Sequence, residues 1–310
     1  MRALLSNRAA LMIPRLLGIV TLVFLFIHFI PGDPVDMMLG ETAQPADKEA
    51  LRRALGLDRP LLEQYARYVG GLMRGDLGHS LSFQSPVSQL VTSRYPATLE
   101  LALGAVFIAL LAAVPLGVLA AARPGTLIDR ASVMFALLGV SIPNFALGPL
   151  LIIAFSISLA WFPVSGRGGL AHLVLPALTL GLSMAGILTR MTRASLIETL
   201  REDYVRTAHA KGLPAYRVLL THALPNALTP ILTILGLQFG TLLAGAIVTE
   251  TIFAWPGIGQ LTVNAIAARD YPLAQGCILA IGVGYIVVNS ATDLLYTLID
   301  PRVRSEGRND

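Results

Sequence analysis

Six stretches of the chain stay apolar for long enough to cross a bilayer, and polar, arginine-bearing segments separate them. A hydrocarbon core about 30 Å thick takes about 20 helical residues. The stretches fall at Ala9 to Ile30, Thr98 to Ala122, Ala131 to Ala160, Leu173 to Thr189, Leu228 to Thr249 and Ala274 to Ile299. None shows the two-residue alternation of a barrel strand, and a helix closes its backbone hydrogen bonds within its own segment, as lipid demands. The pattern predicts an all-α polytopic membrane protein with about six transmembrane helices. It divides the chain into an N-terminal transmembrane anchor over 1–30, an outer region over 31–97, a transmembrane domain over 98–300 with a polar loop at 190–227, and a tail over 301–310.

Composition agrees with the pattern. The 310 residues are 55% hydrophobic and only 14% charged, with a mean hydropathy of +0.68, whereas soluble domains carry about 25% charged residues. The net charge of +4 does not imply nucleic acid, because the basic residues form no cluster with base-reading or aromatic partners. Cys277 is the single cysteine, which excludes an internal disulfide and argues against a cysteine-based metal site. Arginines and Lys211 gather in segments that all lie on one side if the N-terminus is cytoplasmic, while the two short opposite loops hold only Arg167 and Arg269. The positive-inside rule then predicts both termini in the cytoplasm. No small-residue cleavage site precedes Pro31-Gly32-Asp33-Pro34, so the first stretch is expected to be a retained anchor rather than a cleaved signal.

Two polar regions carry structure of their own. On the outer side, Asp47 to Leu55 reads as a short amphipathic helix ended by Gly56, and Leu61 to Met73 as a second one started by Pro60. They form either a small docking surface or a solvated connector. On the inner side, Glu202 and Asp203 suit a helix N-terminus, Gly212 suits the left-handed position that ends that helix, and Pro214 suits the first turn of the next. Leu224-Pro225 is expected to break that second helix before the fifth stretch. The result is a helix-turn-helix elbow facing the cytoplasm, which is either a receiver for a soluble partner or an ordinary loop.

The spacing within this elbow carries a resemblance. Arg206-Thr207-Ala208, then Gly212, then His222-Ala223-Leu224-Pro225 resemble the pattern EAA, three residues, G, nine residues, I-x-LP. That is the cytoplasmic signature of permease subunits in binding-protein-dependent ABC importers. Arg206-Thr207 stand where Glu-Ala is usual and His222 where Ile is. The dipeptide, oligopeptide and nickel branch is similar in these departures and in Glu202 to Ala208 with Ala210-Lys211-Gly212-Leu213. It is also similar in Pro31-Gly32-Asp33-Pro34, Gly56-Leu57-Asp58, Gly75-Asp76-Leu77-Gly78 and Ala97-Thr98-Leu99-Glu100. Towards the C-terminus the likeness continues in Thr249-Glu250-Thr251-Ile252-Phe253, Trp255-Pro256-Gly257, Arg269-Asp270-Tyr271-Pro272 and Asp300-Pro301-Arg302.

The resemblance implies the type I ABC importer permease fold in a bacterial inner membrane, with peptides as the leading solute. It also implies a second permease subunit, cytoplasmic ATPase subunits that hold ATP-Mg, and an external solute-binding protein. The coupling elbow maps to Asp203, Tyr204, Arg206, Ala208, Lys211, Gly212 and Leu213. Asp33, Asp58 and Asp76 are the expected docking positions for the binding protein. No cofactor is expected on this chain, since neither Lys48 nor Lys211 follows glycine as a phosphate-binding loop requires.

Other polar residues admit two readings. Asn144, Gln238 and Asn289 lie deep in the apolar stretches and either line a solute path or bond between helices. Glu100, Glu250 and Asp293 fall near stretch ends, where hydration or an arginine partner would satisfy them. Pro115, Pro143 and Pro149 are hinges or static bends, and Gly236 with Gly240 marks a close helix contact, within the chain or between permease subunits. The histidines lack zinc spacing, and no catalytic constellation stands out, so an enzyme is not expected. The rival transport reading is a secondary transporter or channel driven by an ion gradient, which predicts inverted repeats with broken helices.

Overall fold

The computed structural model describes residues 2–29, 34–40 and 42–299. Asp33 lies outside them, as do the tail beyond Ile299 and the side chain of Asp293. Thirteen α-helices and two π-helical segments are seen among the described residues. They are α1 (Arg2–Phe29), α2 (Pro34–Leu39), α3 (Pro45–Leu55), α4 (Leu61–Met73), α5 (Val87–Ala122), α6 (Leu127–Ser141), α7 (Asn144–Leu151), α8 (Leu170–Thr199), α9 (Asp203–Ala210), α10 (Ala215–Arg217), α11 (Leu224–Ile252), α12 (Ile258–Ala267) and α13 (Tyr271–Ile299). The π-helical segments are Ile152–Ser158 and Val218–Ala223. The chain is all-α and polytopic, as the apolar pattern predicts. Among the described residues, four helices are long and apolar enough to cross a membrane, or five when a bent pair counts as one span. In α1 the stretch Met12–Leu25 forms a shorter apolar helix.

The bent pair departs from expectation. The third apolar stretch, expected as one helix over 131–160, is α6 followed by α7 with its π-helical extension, and the two parts meet at 104°. The break falls at Ile142-Pro143. Pro143 clashes with an α conformation at the preceding residue, and Ile142 takes the extended values φ −86° and ψ 116°. Pro149, by contrast, sits inside α7, and Pro115 is carried within α5 without a break.

The chain forms two compact units. The first comprises residues 1–97 and 256–286. Its core is built from Val87 and Val91 of α5, Ile258, Leu261 and Ala265 of α12, and Leu273, Ala274 and Cys277 of α13, all buried. The α4 helix lies along α1, where Phe24 meets Tyr65 edge-on at 5.2 Å between ring centres and Tyr65 shares a 2.8 Å hydrogen bond with Thr21. The Asp270 carboxylate, 1% exposed, anchors the segment before α5 by accepting from Ser80 Oγ at 2.5 Å and from the Ser82 amide at 2.9 Å. The expected outer helices match α3 and α4 within two residues, and α3 ends at Gly56 with φ +70°.

The second unit comprises residues 98–255 and 287–310, and α8 is at its centre. Close backbone approach explains the small residues along this helix. A Cβ on Gly117 of α5 would stand 2.5 Å from Thr192 of α8, and one on Gly181 of α8 would stand 2.8 Å from the Ala105 carbonyl. On the other side, a Cβ on Gly139 of α6 would stand 2.6 Å from the Leu182 carbonyl, and one on Gly186 would stand 2.5 Å from the Ala136 carbonyl. Such contacts replace side-chain area with backbone van der Waals contact, the usual solution where lipid removes the hydrophobic drive between helices. Gly236 of α11 faces Thr292 of α13 in the same way. That glycine is therefore used within this chain.

Candidate coupling elbow and membrane-interior polar groups

The elbow begins where α8 ends. Glu202, extended at φ −66° and ψ 147°, stands at the N-cap of α9, and Asp203 lies in its first turn, where the helix dipole favours negative charge. The C-terminus closes as a Schellman motif, with the Gly212 amide donating to the His209 carbonyl at 2.9 Å and the Leu213 amide to the Ala208 carbonyl at 3.4 Å. Gly212 has φ +79°, and nothing lies within 4 Å of the position a Cβ would take. Its requirement is thus purely conformational. Most other residues meet open space but cost about 1–2 kcal/mol of left-handed strain.

Val205, Ala208 and Val218 are buried together, and Leu200 and Leu213 pack against them. A second cluster of Ala121, Leu196, Ala223 and Ala227 fixes the base of the elbow to α5, α8 and α11. The seven expected coupling residues therefore divide. Asp203, Tyr204, Arg206, Lys211 and Gly212 are exposed, whereas Ala208 and Leu213 face the small internal core. Ala208 is small because Val205 and Val218 crowd it from within this chain. The Arg206–Asp203 ion pair, at 3.3 Å with both side chains largely exposed, adds little stability. Tyr216, 63% exposed, and Arg217 extend the same open surface. Sequence spacing misses Tyr216 because the motif skips it, although an aromatic residue two positions after Pro214 in a polar stretch is a readable signal.

The second arm differs from expectation. Pro214 stands at the N-cap of α10 rather than inside its first turn, and Leu224-Pro225 does not break the helix. Residues Ala215 to Leu242 continue as one helical span, with the chain wound as a π-helix over Val218–Ala223. The cause is Pro225, whose ring would clash with the carbonyl four residues earlier, that of Thr221. Widening this turn to π geometry accommodates the ring. The side-chain amide of Asn226 donates to the His222 carbonyl at 2.9 Å and helps satisfy the loosened turn.

Asn144, Gln238 and Asn289 sit on different helices. Asn144 opens α7 and Asn289 lies in α13, and the side-chain oxygen of each is buried without a hydrogen-bond partner. Gln238 is half-buried in α11. Glu250 lies near the end of α11 as expected, but hydration is not what satisfies it: it is fully buried, with Thr98 Oγ1 donating to its carboxylate at 2.6 Å. Glu100 does take an arginine, since Arg167 donates through Nε at 2.9 Å and Nη2 at 2.5 Å. Of the expected docking aspartates, Asp58 is exposed, and Asp76 accepts from the Gly78 amide at 2.8 Å in a local turn. Among the described residues no group of three or more His, Cys, Asp or Glu side chains is arranged to hold a metal ion.

The profile of a family described as "Binding-protein-dependent transport system inner membrane component" matches residues 113–305, and that of its N-terminal companion matches residues 1–102. The chain belongs to this family. It is a permease subunit of an ABC importer. The di/tripeptide transport system permease protein DppB of Pseudomonas aeruginosa (strain UCBPP-PA14) is 44% identical, with 99% of this chain and 100% of that protein covered. The dipeptide transport system permease protein DppB of Escherichia coli (strain K12) is 43% identical over 96% of this chain and 97% of that protein. The glutathione transport system permease protein GsiC of E. coli O6:H1 is 43% identical over 94% and 96%. Among solved structures, an inward-facing MetNI methionine ABC transporter gives a TM-score of 0.59 at 17% identity, covering 68% of this chain and 97% of that one. An amino acid ABC transporter crystallised with histidines gives 0.52 at 18% identity, covering 69% and 94%. These likenesses establish the type I permease fold.

Proposed function

We propose that the chain forms half of the translocation pathway of an ATP-driven importer of dipeptides or short oligopeptides. Its elbow converts closure of cytoplasmic ATPase subunits into alternating access. The observation that carries this reading is the exposed face of α9 and its Gly212 turn, held rigidly by the Val205, Ala208 and Val218 core. A push on Tyr204, Arg206 or Lys211 moves this rigid elbow as a unit, and α8 and α11 continue directly from it. The dipeptide and di/tripeptide permeases at 43% and 44% identity support the solute class.

On this reading ATP-Mg binds to partner ATPases, a second permease completes the pathway, and an external binding protein delivers the peptide near Asp58 and Asp76. Asn144, Gln238 and Asn289 face the solute, both termini are cytoplasmic, and the membrane is the bacterial inner membrane. The test is import of a radiolabelled dipeptide, alanyl-alanine, into proteoliposomes holding this chain with the permease, ATPase and binding-protein products of its neighbouring genes. Uptake that needs ATP inside and binding protein outside is expected. Uptake driven by an ion gradient without ATP would refute the reading.

A further inference from the structure

Asp129 and Arg193 form an ion pair, between a buried carboxylate and a partly exposed guanidinium, that the elbow signature does not include. Asp129, in the first turn of α6, is 5% exposed. Its carboxylate accepts from Arg193 Nε at 2.5 Å, from Arg193 Nη2 at 2.9 Å and from the Gly125 amide at 2.9 Å. The fork geometry fixes both distance and orientation, as a single cationic point would not. Arg193 lies six residues before the end of α8, on the helix that leads straight into the elbow.

The α6 and α8 helices run antiparallel. Residue 129 faces 193, 136 faces 186, and 139 faces 182. The contacts at Gly139 and Gly186 bring the backbones together and set the separation of the axes, but small apolar contacts resist sliding weakly. The ion pair supplies the missing constraint, because sliding either helix by one residue, about 1.5 Å, breaks the two-pronged bond. Stability alone gives little reason to keep such a pair, since an ion pair with a partly exposed member contributes little. The α6 helix ends at the 104° break, beyond which α7 packs on α8 and α11, with Gly148 against Ile252 and Phe253.

We propose that Asp129 and Arg193 are a positioning pair that locks α6 to α8 in axial register, so that displacement of the elbow is carried into the broken helix α6–α7. This inference rests on the coupling reading above. The pair joins two helices of this chain. It determines how much of each ATP-driven stroke reaches the pathway.

The test uses the complete reconstituted importer, with alanyl-alanine uptake and ATP hydrolysis measured in the same vesicles. The wild-type arm examines the coupling reading alone, because ATP-dependent uptake must be present there first. In the double variant Asp129→Leu with Arg193→Met, assembly is expected to survive and ATP hydrolysis to stay within about twofold. Peptide imported per ATP is expected to fall about tenfold, within the range of coupling energies between sites. Arg193→Lys, which restores the charge without the fork, is expected to recover only part of that ratio. Asp129→Asn keeps the shape and the Gly125 bond, and it decides between the outcomes if the double variant does not assemble: a lowered ratio supports the proposal. An unchanged ratio in an assembled variant overturns it, and so does a parallel loss of uptake and hydrolysis.

Discussion

The two helices that flank the elbow are built differently. Half of the most apolar stretch of Leu170–Thr199 is buried within the chain, against 22% of that of Ala215–Leu242. On the entering arm, Gly181 and Gly186 bring α5 and α6 against the backbone of α8, and Arg193 adds the ion pair. The leaving arm instead exposes Leu232 and Leu237 and carries the Val218–Ala223 π segment with Pro225. Both arms pack within the chain, α11 against α8 among others, but the leaving arm keeps the face that bears Leu232 and Leu237 open. On the proposed function, a push on the elbow is expected to pass mainly into the more buried arm, where α6 and the broken helix lie.

Substitutions that strike the two arms unequally probe this contrast. Arg193→Met alone leaves the Asp129 carboxylate with the Gly125 amide but without its arginine, and a loss of about 1–3 kcal/mol is expected. It would be read as a lowered midpoint in detergent-based thermal unfolding. Gly186→Leu drives a side chain into the Ala136 carbonyl and Val140, with an expected cost of about 1–3 kcal/mol in the same assay.

At the elbow itself, Gly212→Val should leave the fold in place, since the turn is exposed, yet uncouple ATP hydrolysis from uptake. Gly212→Ala should do so less, and Gly212→Asn least, because asparagine tolerates the left-handed region. Leu237→Ala on the open arm is the smallest effect, with stability of the isolated chain changed by no more than about 0.5 kcal/mol. If it matched Gly186→Leu, the asymmetry between the arms would be false.

Much of this is legible in the sequence, for physical reasons that differ by element. The α3 and α4 boundaries follow from Gly56 and Pro60, whose preferences are local. The elbow follows from Glu202, Asp203 and Gly212, which act through the helix dipole and a left-handed turn. Pro143 and Pro225 show the limit. Both forbid a regular α turn, but the first ends its helix by a 104° break while the second is absorbed by a π-helical turn. The choice depends on packing that local preference does not encode. Burial of Glu250 is equally hidden, because Thr98, which donates to its carboxylate, lies 152 residues away. Motif spacing puts Ala208 in the elbow, where a small side chain suits close helix approach, but it does not say that Val205 and Val218 are what pack on it.

The whole coupling scheme depends on the exposed face of α9 being where an ATPase subunit delivers its force. It is tested most directly by placing a photo-crosslinking amino acid at Tyr204 in the assembled, ATP-hydrolysing importer, with Asp58, external on the proposed function, as the control position. A crosslink from position 204 to the ATPase subunit is expected, and none from position 58. An importer that hydrolyses ATP normally but gives no ATPase crosslink from position 204 would show that the force enters elsewhere.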